Sequence, residues 1–438
     1  MSRQKRATAS VSEVSGYQNL ILVVRADPII CGHSTEARNL AEAAIARGFS
    51  SVHIVSYPLD VLADSGLPLK PIDSIAPYSP GIFVDRPAPV GDYKVLDGRL
   101  GYAIAGHLVD LVGRLPGRTA IMNLYLVPHG QMVMQAADAL AAMATTSAVT
   151  TIAEAVGSDV TNVVKNAMAT GQFGAAALVL SNYLAHDLPV AVSKFTRELI
   201  VAAGSQVDEQ MGTDFAARLE QRVRISYPAI DTQAYLNIER QVEDNRQTLA
   251  RRGLNHDGFL LFLSRLSEAK GVDDLIHAYR ASQLYGCKTL VVCGAGPDAE
   301  RLRGIAGDDP HVRFFADVGD EEKGALMHAC HAYCLPSKPR PEFTETFGIA
   351  LAEAMLAGGP GPVITTRTGG IPEATGDFCL YHRAGDVGEL TARLNDIAAM
   401  PNESRRSLSR SAQEYARRFD RVTILDNLLS SWPLRAVA

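Results

Sequence analysis

Residues 342–373 read E-F-T-E-T-F-G-I-A-L-A-E-A-M-L-A-G-G-P-G-P-V-I-T-T-R-T-G-G-I-P-E. The stretch holds two carboxylates, Glu345 and Glu353, in the spacing E-x7-E. The Ala-rich run from Gly348 to about Ala357 predicts a helix, and the Gly-Gly-Pro that begins at Gly358 ends it. This spacing is slightly more than two helical turns, so we expect both carboxylates on roughly one side of the element.

The start of that helix suits an anionic ligand. Thr344 and Thr346 offer hydroxyls as N-caps, and the first N–H groups point outward at the positive end of the helix dipole. A loop acid, a free helix N-terminus and a second acid further along suit a ligand that carries both hydroxyls and phosphates. A sugar nucleotide is such a ligand.

The length and composition indicate a soluble enzyme of several domains. At 438 residues, about two to three domains are expected. The chain is 47% hydrophobic and 21% charged, which is ordinary for a globular protein. The net charge is −6 and no dense Lys/Arg stripe occurs, so we expect no nucleic-acid partner.

The cysteines and the hydropathy favour the cytoplasm. No C-x-x-C occurs among the six cysteines, which indicates reduced thiols rather than a disulfide framework: Cys31, Cys287, Cys293, Cys330, Cys334 and Cys379. Residues 1–16 are polar and lack the apolar region of a secretory signal, so we expect a disordered tail there. No run of 18 apolar residues occurs, and no transmembrane segment is expected.

Strands and helices alternate along the first half of the chain, which predicts a doubly wound parallel α/β sheet. Short apolar runs predict strands at Asn19–Arg25, Ser51–Ser56, Thr119–Leu124, Ser147–Ile152 and Leu188–Ser193. Amphipathic spacing predicts helices at Thr35–Arg47, Gly98–Arg114, Gly130–Met143 and Asp159–Asn182. The Pro-rich stretch Leu59–Asp97 is irregular, with a possible short strand near Ile82–Val84.

The alternation stops at Ser226–Asp257, where Ile238–Arg252 predicts a charged helix, and then resumes. Strands are predicted at Phe259–Leu263, Thr289–Cys293, Val312–Phe315, Ala332–Pro336, Pro362–Thr365 and Phe378–Tyr381. Helices are predicted at Gly271–Tyr285, Pro297–Ala306, Asp320–Ala329, Gly348–Ala357, Val387–Met400 and Glu403–Arg418. We therefore predict an N-terminal Rossmann-like domain over 17–232, a linker over 233–257, and a second Rossmann-like domain over 258–420. The segment 421–438 could pack back on the first domain.

The loop after strand Phe259–Leu263 carries two cations, Arg265 and Lys270. Ligands of open α/β sheets bind at the carboxyl ends of strands, so both cations lie where a diphosphate would bind. The glycine turn at Gly294 and the Gly369-Gly370 pair are weak signals alone and gain weight only from these neighbours.

The segment His328–Cys334 has the residue types of a metal site, but its spacing argues against one. A helix followed directly by a strand would point these side chains in divergent directions, and structural zinc usually draws on two separated pairs of ligands. No metal site is predicted there.

With these residues in view, the second half resembles the family-4 type of retaining glycosyltransferases, which have the GT-B fold. The resemblance rests on four segments in order, spread over about 110 residues: F-L-S-R-L-S-E-A-K-G-V-D-D-L-I-H-A-Y, L-V-V-C-G-A-G-P-D, P-S followed by E-T-F-G-I-A-L-A-E-A-M, and G-P-V-I-T-T-R-T-G-G-I-P-E. In the first half, C-G-H-S-T-E-A-R-N-L-A-E-A-A-I-A-R-G resembles the opening glycine loop and helix of such enzymes. The resemblance implies two Rossmann-like domains facing across a cleft.

The resemblance also implies roles for single residues. Arg265 and Lys270 would hold the donor diphosphate, Glu353 the ribose hydroxyls, and Glu345 the hydroxyls of the transferred sugar. Gly32 would let its loop approach the diphosphate closely. The remaining donor-binding positions would be Gly294 and the backbone N–H groups of Thr346, Phe347, Gly348 and Ile349.

The implied enzyme uses no metal and no cofactor, because cations and helix N-termini stabilise the leaving diphosphate. The expected donor is a UDP-sugar, and the anomeric configuration would be retained. The expected acceptor is a small soluble molecule or an oligosaccharide. A GT-B-fold sugar-nucleotide epimerase and a non-catalytic sugar-nucleotide-binding protein stay open as alternatives, and the oligomeric state is not indicated.

The chain departs from the family pattern in two places. The link K-P-R-P-E-F-T before Glu345 is a few residues longer than usual and adds a second candidate carboxylate, Glu342. Relatives often carry a histidine after the strand equivalent to Ser147–Ile152, and this chain has none. The candidates for the acceptor side are therefore His33, His129, Glu154 and Asp159. His129 could instead simply cap the helix that begins at Gly130.

Overall fold

The computed structural model describes residues 16–27, 32–65, 76–91, 96–143, 148–341 and 343–430. The chain divides into two compact units, Met1–Ala229 with Arg421–Ala438 (unit 1), and Ile230–Asp420 (unit 2). All but one residue of the predicted tail 1–16 and the candidate Glu342 lie outside the described residues.

Unit 1 is built on one seven-stranded parallel sheet in the order β3-β2-β1-β4-β5-β6-β7. The central strands are runs of apolar residues buried on both faces, as parallel strands between two helix layers must be. The strands are β1 Asn19–Val23, β2 Ser51–Val55, β3 Ile82–Asp85, β4 Thr119–Asn123, β5 Val149–Ala155, β6 Leu188–Ala191 and β7 Arg224–Ile225.

Helices connect these strands, as right-handed parallel crossovers require. They are α1 Gly32–Ala46, α2 Leu59–Asp64, α3 Leu96–Arg114, α4 Gln131–Ala142, α5 Asn166–Ala169, α6 Phe173–Ala185, α7 Lys194–Met211 and α8 Phe215–Arg222. Two irregular helical turns, Leu126–Gly130 and Val160–Lys165, follow β4 and β5.

Unit 2 repeats the plan with six parallel strands in the order β10-β9-β8-β11-β12-β13. The strands are β8 Phe259–Leu263, β9 Thr289–Cys293, β10 Val312–Phe315, β11 Ala332–Leu335, β12 Val363–Thr366 and β13 Leu380–His382. The helices are α9 Thr232–Leu236, α10 Val242–Arg251, α11 Val272–Ala281, α12 Ala299–Ala306, α13 Asp320–Ala329, α14 Ile349–Ala357, α15 Ile371–Thr375, α16 Val387–Ala399 and α17 Asn402–Ala416.

The last described helix, α18 (Arg421–Ser430), packs against α1 and belongs to unit 1. Four of its apolar residues join the buried core of that unit: Ile424, Leu425, Leu428 and Leu429. Arg47 and Asp426 form an ion pair beside this contact. Residues 233–257, in contrast, lie in unit 2, where they form α10 and most of α9.

Both sheets reverse their strand order next to their first strand, between β1 and β4 in unit 1 and between β8 and β11 in unit 2. Helices leave such a switch point on opposite faces, which opens a crevice at the carboxyl ends of the two strands. This topology confirms the predicted class, two doubly wound parallel α/β domains. None of the described helices is long and apolar enough to span a lipid bilayer.

Several predicted elements are wrong in their bounds, among them two helices and one strand of particular interest. The helix predicted over Asp159–Asn182 is broken at Gly171, where a φ of 74° ends α5, and it resumes at Phe173. The helix predicted over Ile238–Arg252 is interrupted at Gln241, which lies between a short 3-10 turn and α10. The strand predicted over Ser147–Ile152 is β5, which extends to Ala155 and so contains Glu154.

Candidate functional site

Lys270 and Glu345 meet at the switch point of unit 2. Lys270 lies in the loop after β8, Glu345 lies in the loop after β11, and the Lys270 ammonium donates a hydrogen bond to the Glu345 carboxylate. Each side chain keeps only 12% of its surface exposed. The ammonium also lies 4.9 Å from the centre of the Phe343 ring. Two residues that the sequence placed in one donor site are therefore in direct contact.

The turn that carries Lys270 is fixed by its backbone. Glu268–Lys270 forms a 3-10 turn that ends at Gly271, which has a φ of 68°. A Cβ at Gly271 would lie 2.1 Å from the carbonyl oxygen of Pro336, so only glycine allows this loop to approach the end of β11 so closely. The close approach brings Lys270 to the Glu345 loop.

The backbone around Glu345 is held by the Gly369-Gly370 pair. The N–H of Gly370 donates to the carbonyl oxygen of Glu345 at 2.9 Å. A Cβ at Gly369 would lie 2.0 Å from that same oxygen, and one at Gly370 would lie 1.9 Å from the carbonyl oxygen of Thr346. The weak glycine signal of the sequence therefore has a definite structural role, which is to pack against the backbone of the acidic loop.

Helix α14 begins at Ile349, and the predicted threonine caps are wrong. Its N-cap is Gly348, with a φ of 101° and no capping side chain. Glu345 therefore precedes the helix and only Glu353 is helical, so the helical spacing argument does not apply to the pair. The predicted stop is confirmed, because Gly358 takes the C-cap with a φ of 66°. The first N–H groups of a helix have no acceptor within the helix. In α14 these groups come directly after the Thr346–Gly348 turn, and no side chain caps them.

Glu353 pairs with a lysine that the sequence did not indicate. The Lys323 ammonium of α13 donates to the Glu353 carboxylate, whose side chain is 6% exposed. Tyr235 of α9 lies beside both: its ring is 5.8 Å from the ammonium, and burial followed by the charge of Glu353 raises the pKa of its hydroxyl well above the usual value. Each glutamate of the E-x7-E spacing thus has its own lysine.

Arg265 and Gly294 lie on neighbouring loops of unit 2. Arg265 follows β8 with an exposed side chain. Gly294 follows β9 with a φ of 134°, and a Cβ there would lie 2.0 Å from the carbonyl oxygen of Ser264. The N–H of Leu266 donates to Ala295 across the same contact. The glycine turn therefore supports the loop that carries Arg265.

The extra residues before Glu345 pack against the Lys270 turn. The backbone N–H of Lys338 donates to the carbonyl oxygen of Ala269 at 2.9 Å. The Lys338 ammonium lies 3.0 Å from carboxylate oxygens of both Asp273 and Asp274. Arg340 and Phe343 exchange two backbone hydrogen bonds, which turns the chain back. This turn places the ring of Phe343 beside Lys270.

The predicted acceptor-side residues lie in unit 1. Gly32 and His33 open α1, and Gly32 is exposed. Glu154 is fully buried near the carboxyl end of β5, and His129, in the turn after β4, is 1% exposed. The hypothesis that His129 caps α4 is wrong, because α4 has no side-chain cap and neither ring nitrogen of His129 has a hydrogen-bond partner among the described residues.

Asp159 has a structural task. Its buried carboxylate accepts backbone hydrogen bonds of 2.9–3.3 Å from the N–H groups of Leu126, Val156, Gly157 and Val160. Burial nevertheless raises the pKa of Asp159. These bonds tie the turn after β4 to the end of β5.

The side chains of His328–Cys334 make contacts of their own. His328 donates from Nδ1 to the carbonyl oxygen of Ala357, and Cys330 and Cys334 are buried. Over the described ranges, no group of three or more His, Cys, Asp or Glu side chains is arranged to hold a metal ion.

Comparisons with known proteins find relatives of part of this chain. Residues 245–415 match the family model "Glycosyl transferases group 1". The chain is 27% identical over 224 residues to the D-inositol 3-phosphate glycosyltransferases of Mycobacterium tuberculosis and Mycobacterium bovis, an alignment that covers 48% of this chain. That alignment covers 43% of the length of those relatives.

Solved structures share the fold of the whole chain. One is a crystal structure of the Anabaena protein Alr3699/HepE in complex with UDP and glucose, which superposes with a TM-score of 0.65 at 17% identity. The superposition includes 95% of the present chain and 99% of the Anabaena chain. Sucrose-phosphate synthase from Thermosynechococcus elongatus covers 93% of this chain, and 96% of that chain is covered, with a TM-score of 0.60 at 18% identity. The fold is therefore that of GT-B glycosyltransferases.

Proposed function

We propose that this protein is a retaining glycosyltransferase, which moves a sugar from a nucleotide diphosphate sugar to a hydroxyl group of an acceptor. The observation that carries the proposal is the Lys270–Glu345 pair beside the N-terminus of α14, with Glu353 on the same helix. A cation, a helix N-terminus without a side-chain cap and two carboxylates offer partners for the phosphates and the hydroxyls of one donor.

The charge on the leaving diphosphate would be stabilised by Arg265, Lys270 and the N-terminus of α14. This charge grows as the glycosidic C–O bond breaks, so these groups bind the transition state more strongly than the ground state. Glu345 would accept hydrogen bonds from the transferred sugar, and Glu353 from the ribose. The backbone N–H groups of Thr346, Phe347, Gly348 and Ile349 would lie around the phosphate and sugar.

A UDP-sugar is the donor that we infer. The Anabaena protein of the same fold was crystallised with UDP and glucose, and other crystals of it contain UDP-glucose. The matched mycobacterial relatives are named as glycosyltransferases that act on D-inositol 3-phosphate, which is a small polyol phosphate. A small hydroxyl-bearing acceptor fits these likenesses.

The proposed reaction uses no metal and no cofactor. Arg265 and Lys270 would supply the positive charge that a divalent cation gives to other phosphate-binding sites. Gly32 and the acceptor-side residues His33, His129, Glu154 and Asp159 would contribute from unit 1. A cytoplasmic location fits the described cysteines, all of which are free thiols.

UDP binding is the direct test. Calorimetry of the full chain should show that UDP binds and that Glu353→Gln weakens this binding about tenfold or more, since a charge-assisted hydrogen bond is lost. The same panel with GDP, ADP and TDP identifies the base. If UDP and the other nucleotides all fail to bind, the proposal is wrong.

Incubation with donor alone separates the alternatives. A transferase at most hydrolyses UDP-glucose slowly, whereas an epimerase converts it to a new sugar nucleotide that chromatography resolves. A binding protein would bind UDP-glucose without converting it, and it would transfer no sugar to any acceptor.

A further inference from the structure

A cavity of about 220 Å³ lies at the amino ends of the strands of unit 2. The segments that form it come before β8, β11 and β12, whereas Lys270 and Glu345 follow β8 and β11. Because the strands are parallel, the cavity and the Lys270–Glu345 pair lie at opposite ends of the sheet. All residues that line the cavity belong to unit 2.

Helix α17 forms one wall of this cavity. Four of its polar residues, with the spacing i, i+3, i+4, i+7 of one helix face, line it: Arg406, Ser409, Arg410 and Gln413. Over the described ranges, neither Arg406 nor Arg410 lies within ion-pair distance of a carboxylate, although the adjacent Arg405 forms an ion pair at 3.0 Å. Like charges at i and i+4 repel each other, so the cavity lacks a counter-charge for this pair of arginines.

The end of α14 forms a second wall, and its last carbonyl groups are already bonded. His328 donates from Nδ1 to the carbonyl oxygen of Ala357 at 2.8 Å, and the side-chain amide of Gln413 donates to that of Leu356 at 2.8 Å. The last carbonyl groups of a helix carry partial negative charge and would repel an anion. These two side chains cover that charge, and the second ring nitrogen of His328 is left for a ligand.

The turn Gly358–Pro360 packs closely against the same two side chains. A Cβ at Gly359 would lie 1.9 Å from the carbonyl oxygen of His328, and one at Gly358 would lie 2.7 Å from Nε2 of Gln413. Both glycines have positive φ angles, 66° at Gly358 and 88° at Gly359. This part of the cavity is therefore built from closely packed backbone that only glycine allows.

Positive charge outweighs negative charge around the cavity. The two arginines are always protonated, and Glu239 is the one carboxylate among the described residues that line it. The rings of His256 and His328 lie 6.3 Å apart. Burial, and then the charges of His328 and Arg406, lower the pKa of His256, although Asp257 acts in the opposite direction. The cationic groups therefore repel one another, and an anion among them would relieve that repulsion.

We propose that this cavity binds a phosphate group, either as inorganic phosphate or on a small phosphorylated molecule. Guanidinium groups form charge-assisted and often bidentate hydrogen bonds with phosphate oxygens, and the hydroxyl of Ser409 adds another donor. The volume is below the roughly 300–1,000 Å³ of pockets for drug-sized ligands, so the occupant is small. The inference goes beyond the proposed function and does not depend on it.

Calorimetric titration of the full chain with inorganic phosphate tests the site. Excess UDP is present, so that phosphate does not compete for the Lys270 site. Arg406→Gln and Arg410→Gln each remove one cation of the cavity, and Glu239→Gln removes its carboxylate. The matched control is Arg393→Gln, which changes the net charge equally at a partly exposed arginine of α16 outside the cavity. Glucose 6-phosphate and glucose are the further probes.

We expect phosphate to bind the wild type with a Kd of about 1 mM or lower, and each arginine variant to bind it at least about fivefold more weakly, because a charge-assisted hydrogen bond is lost. Arg393→Gln should stay within about twofold, and Glu239→Gln should bind phosphate about twofold more tightly or better, because a repelling charge is removed. Phosphate at about 10 mM should raise the melting temperature of the wild type more than that of the arginine variants.

The second probe identifies the source of the phosphate group. Glucose 6-phosphate that binds more tightly than inorganic phosphate, while glucose does not bind at the cavity, indicates a small phosphorylated molecule. Equal affinities indicate free phosphate. Either result supports the site, provided that the arginine variants weaken it.

Three results would overturn the inference: phosphate does not bind the wild type, both arginine variants bind it as the wild type does, or Glu239→Gln binds it more weakly than the wild type. Arg406 and Arg410 are exposed, so we expect both variants to fold, and thermal unfolding without phosphate checks this. UDP affinity should be unchanged in every variant. Absence of UDP binding to the wild type therefore counts against the proposed function and leaves this inference to the phosphate titrations.

Discussion

Lys270 and Glu345 form a nearly buried ion pair although they follow different strands, β8 and β11, of the same sheet. The pair holds both side chains at the switch point, and the ring of Phe343 lies beside the ammonium. A lysine ammonium has three N–H groups, so Lys270 can bind phosphate oxygens while it still contacts Glu345. The two residues should therefore act as one unit.

Lys270→Met and Glu345→Gln should each lower kcat by about a hundredfold or more, because each removes charge stabilisation or positioning at the reacting centre. The double variant should be little worse than either single one, since both belong to one unit. Steady-state kinetics of transfer or donor hydrolysis measures this. Lys194→Met, at an exposed lysine of unit 1, is the matched control and should stay within twofold. Losses that multiply in the double variant would show that the residues act separately.

Gly370→Ala should disturb the acidic loop. The new Cβ would lie 1.9 Å from the carbonyl oxygen of Thr346, so the Glu345–Thr346 backbone has to move. We expect kcat to fall at least tenfold and the melting temperature to drop, because small displacements of positioned groups cost much of their catalytic effect.

Gly304→Ala is the matched control for that substitution. Gly304 lies within α12 with nothing within 4 Å of its added Cβ, and alanine favours a helix by about 0.5–1 kcal/mol over glycine. Its activity should match the wild type, with an equal or higher melting temperature. If both variants behave alike, the contact between the glycine pair and the acidic loop has no role in activity.

The fold followed from sequence because parallel strands leave a strong signal. In unit 2, β8, β9 and β10 have the predicted bounds, since each is an apolar run between turn residues. The errors occurred where backbone geometry overrides pattern. The left-handed φ of Gly171 interrupts a helix that was predicted to be continuous. The predicted strand ended at Ile152, whereas β5 continues through Glu154 to Ala155.

The site was less predictable, because its contacts are made between distant segments. Arg265, Lys270 and the two glutamates could be found from spacing and strand ends. Lys323 could not, because nothing in D-E-E-K-G distinguishes a lysine that meets Glu353 from a solvated one. Tyr235 fell in a stretch predicted as a linker. A weak signal was the small residue Gly324 in α13. A Cβ at Gly324 would lie 2.4 Å from a side-chain atom of Ile238, so the glycine lets α13 pack closely against that stretch.

Lys323→Met should weaken donor binding without abolishing turnover. The lysine pairs with a carboxylate that is 6% exposed, and its loss leaves that carboxylate buried without a counter-charge. We expect the donor KM to rise about tenfold and kcat to fall less than threefold. Adding Glu353→Gln should restore part of the stability that Lys323→Met loses, as measured by thermal unfolding. A fall in kcat at unchanged KM would contradict a role in nucleotide binding.

His129→Gln should change how stability depends on pH. Burial lowers the pKa of His129 to about 3, whereas a histidine in the unfolded chain titrates near 6.5. Below pH 6.5 the unfolded state takes up a proton that the folded state does not. The stability that neutral His129 contributes is therefore present above pH 6.5 and is lost as the pH falls toward 3, by about 1.4 kcal/mol per pH unit.

Between pH 7 and pH 5, the wild type should lose about 2 kcal/mol more of its free energy of unfolding than His129→Gln, or about 4–8 °C of melting temperature.

Glu36 should have the opposite effect on the pH dependence of stability. Burial raises the pKa of Glu36 to about 7, so the folded state holds a proton that the unfolded carboxyl has lost. The contribution of Glu36 to stability therefore falls as the pH rises from about 4.5 to 7. Glu36→Gln should therefore lose more stability than the wild type over the same descent from pH 7 to pH 5. Thermal unfolding of the three proteins at both pH values measures these opposite changes, and parallel curves for all three would show that neither group titrates differently on folding.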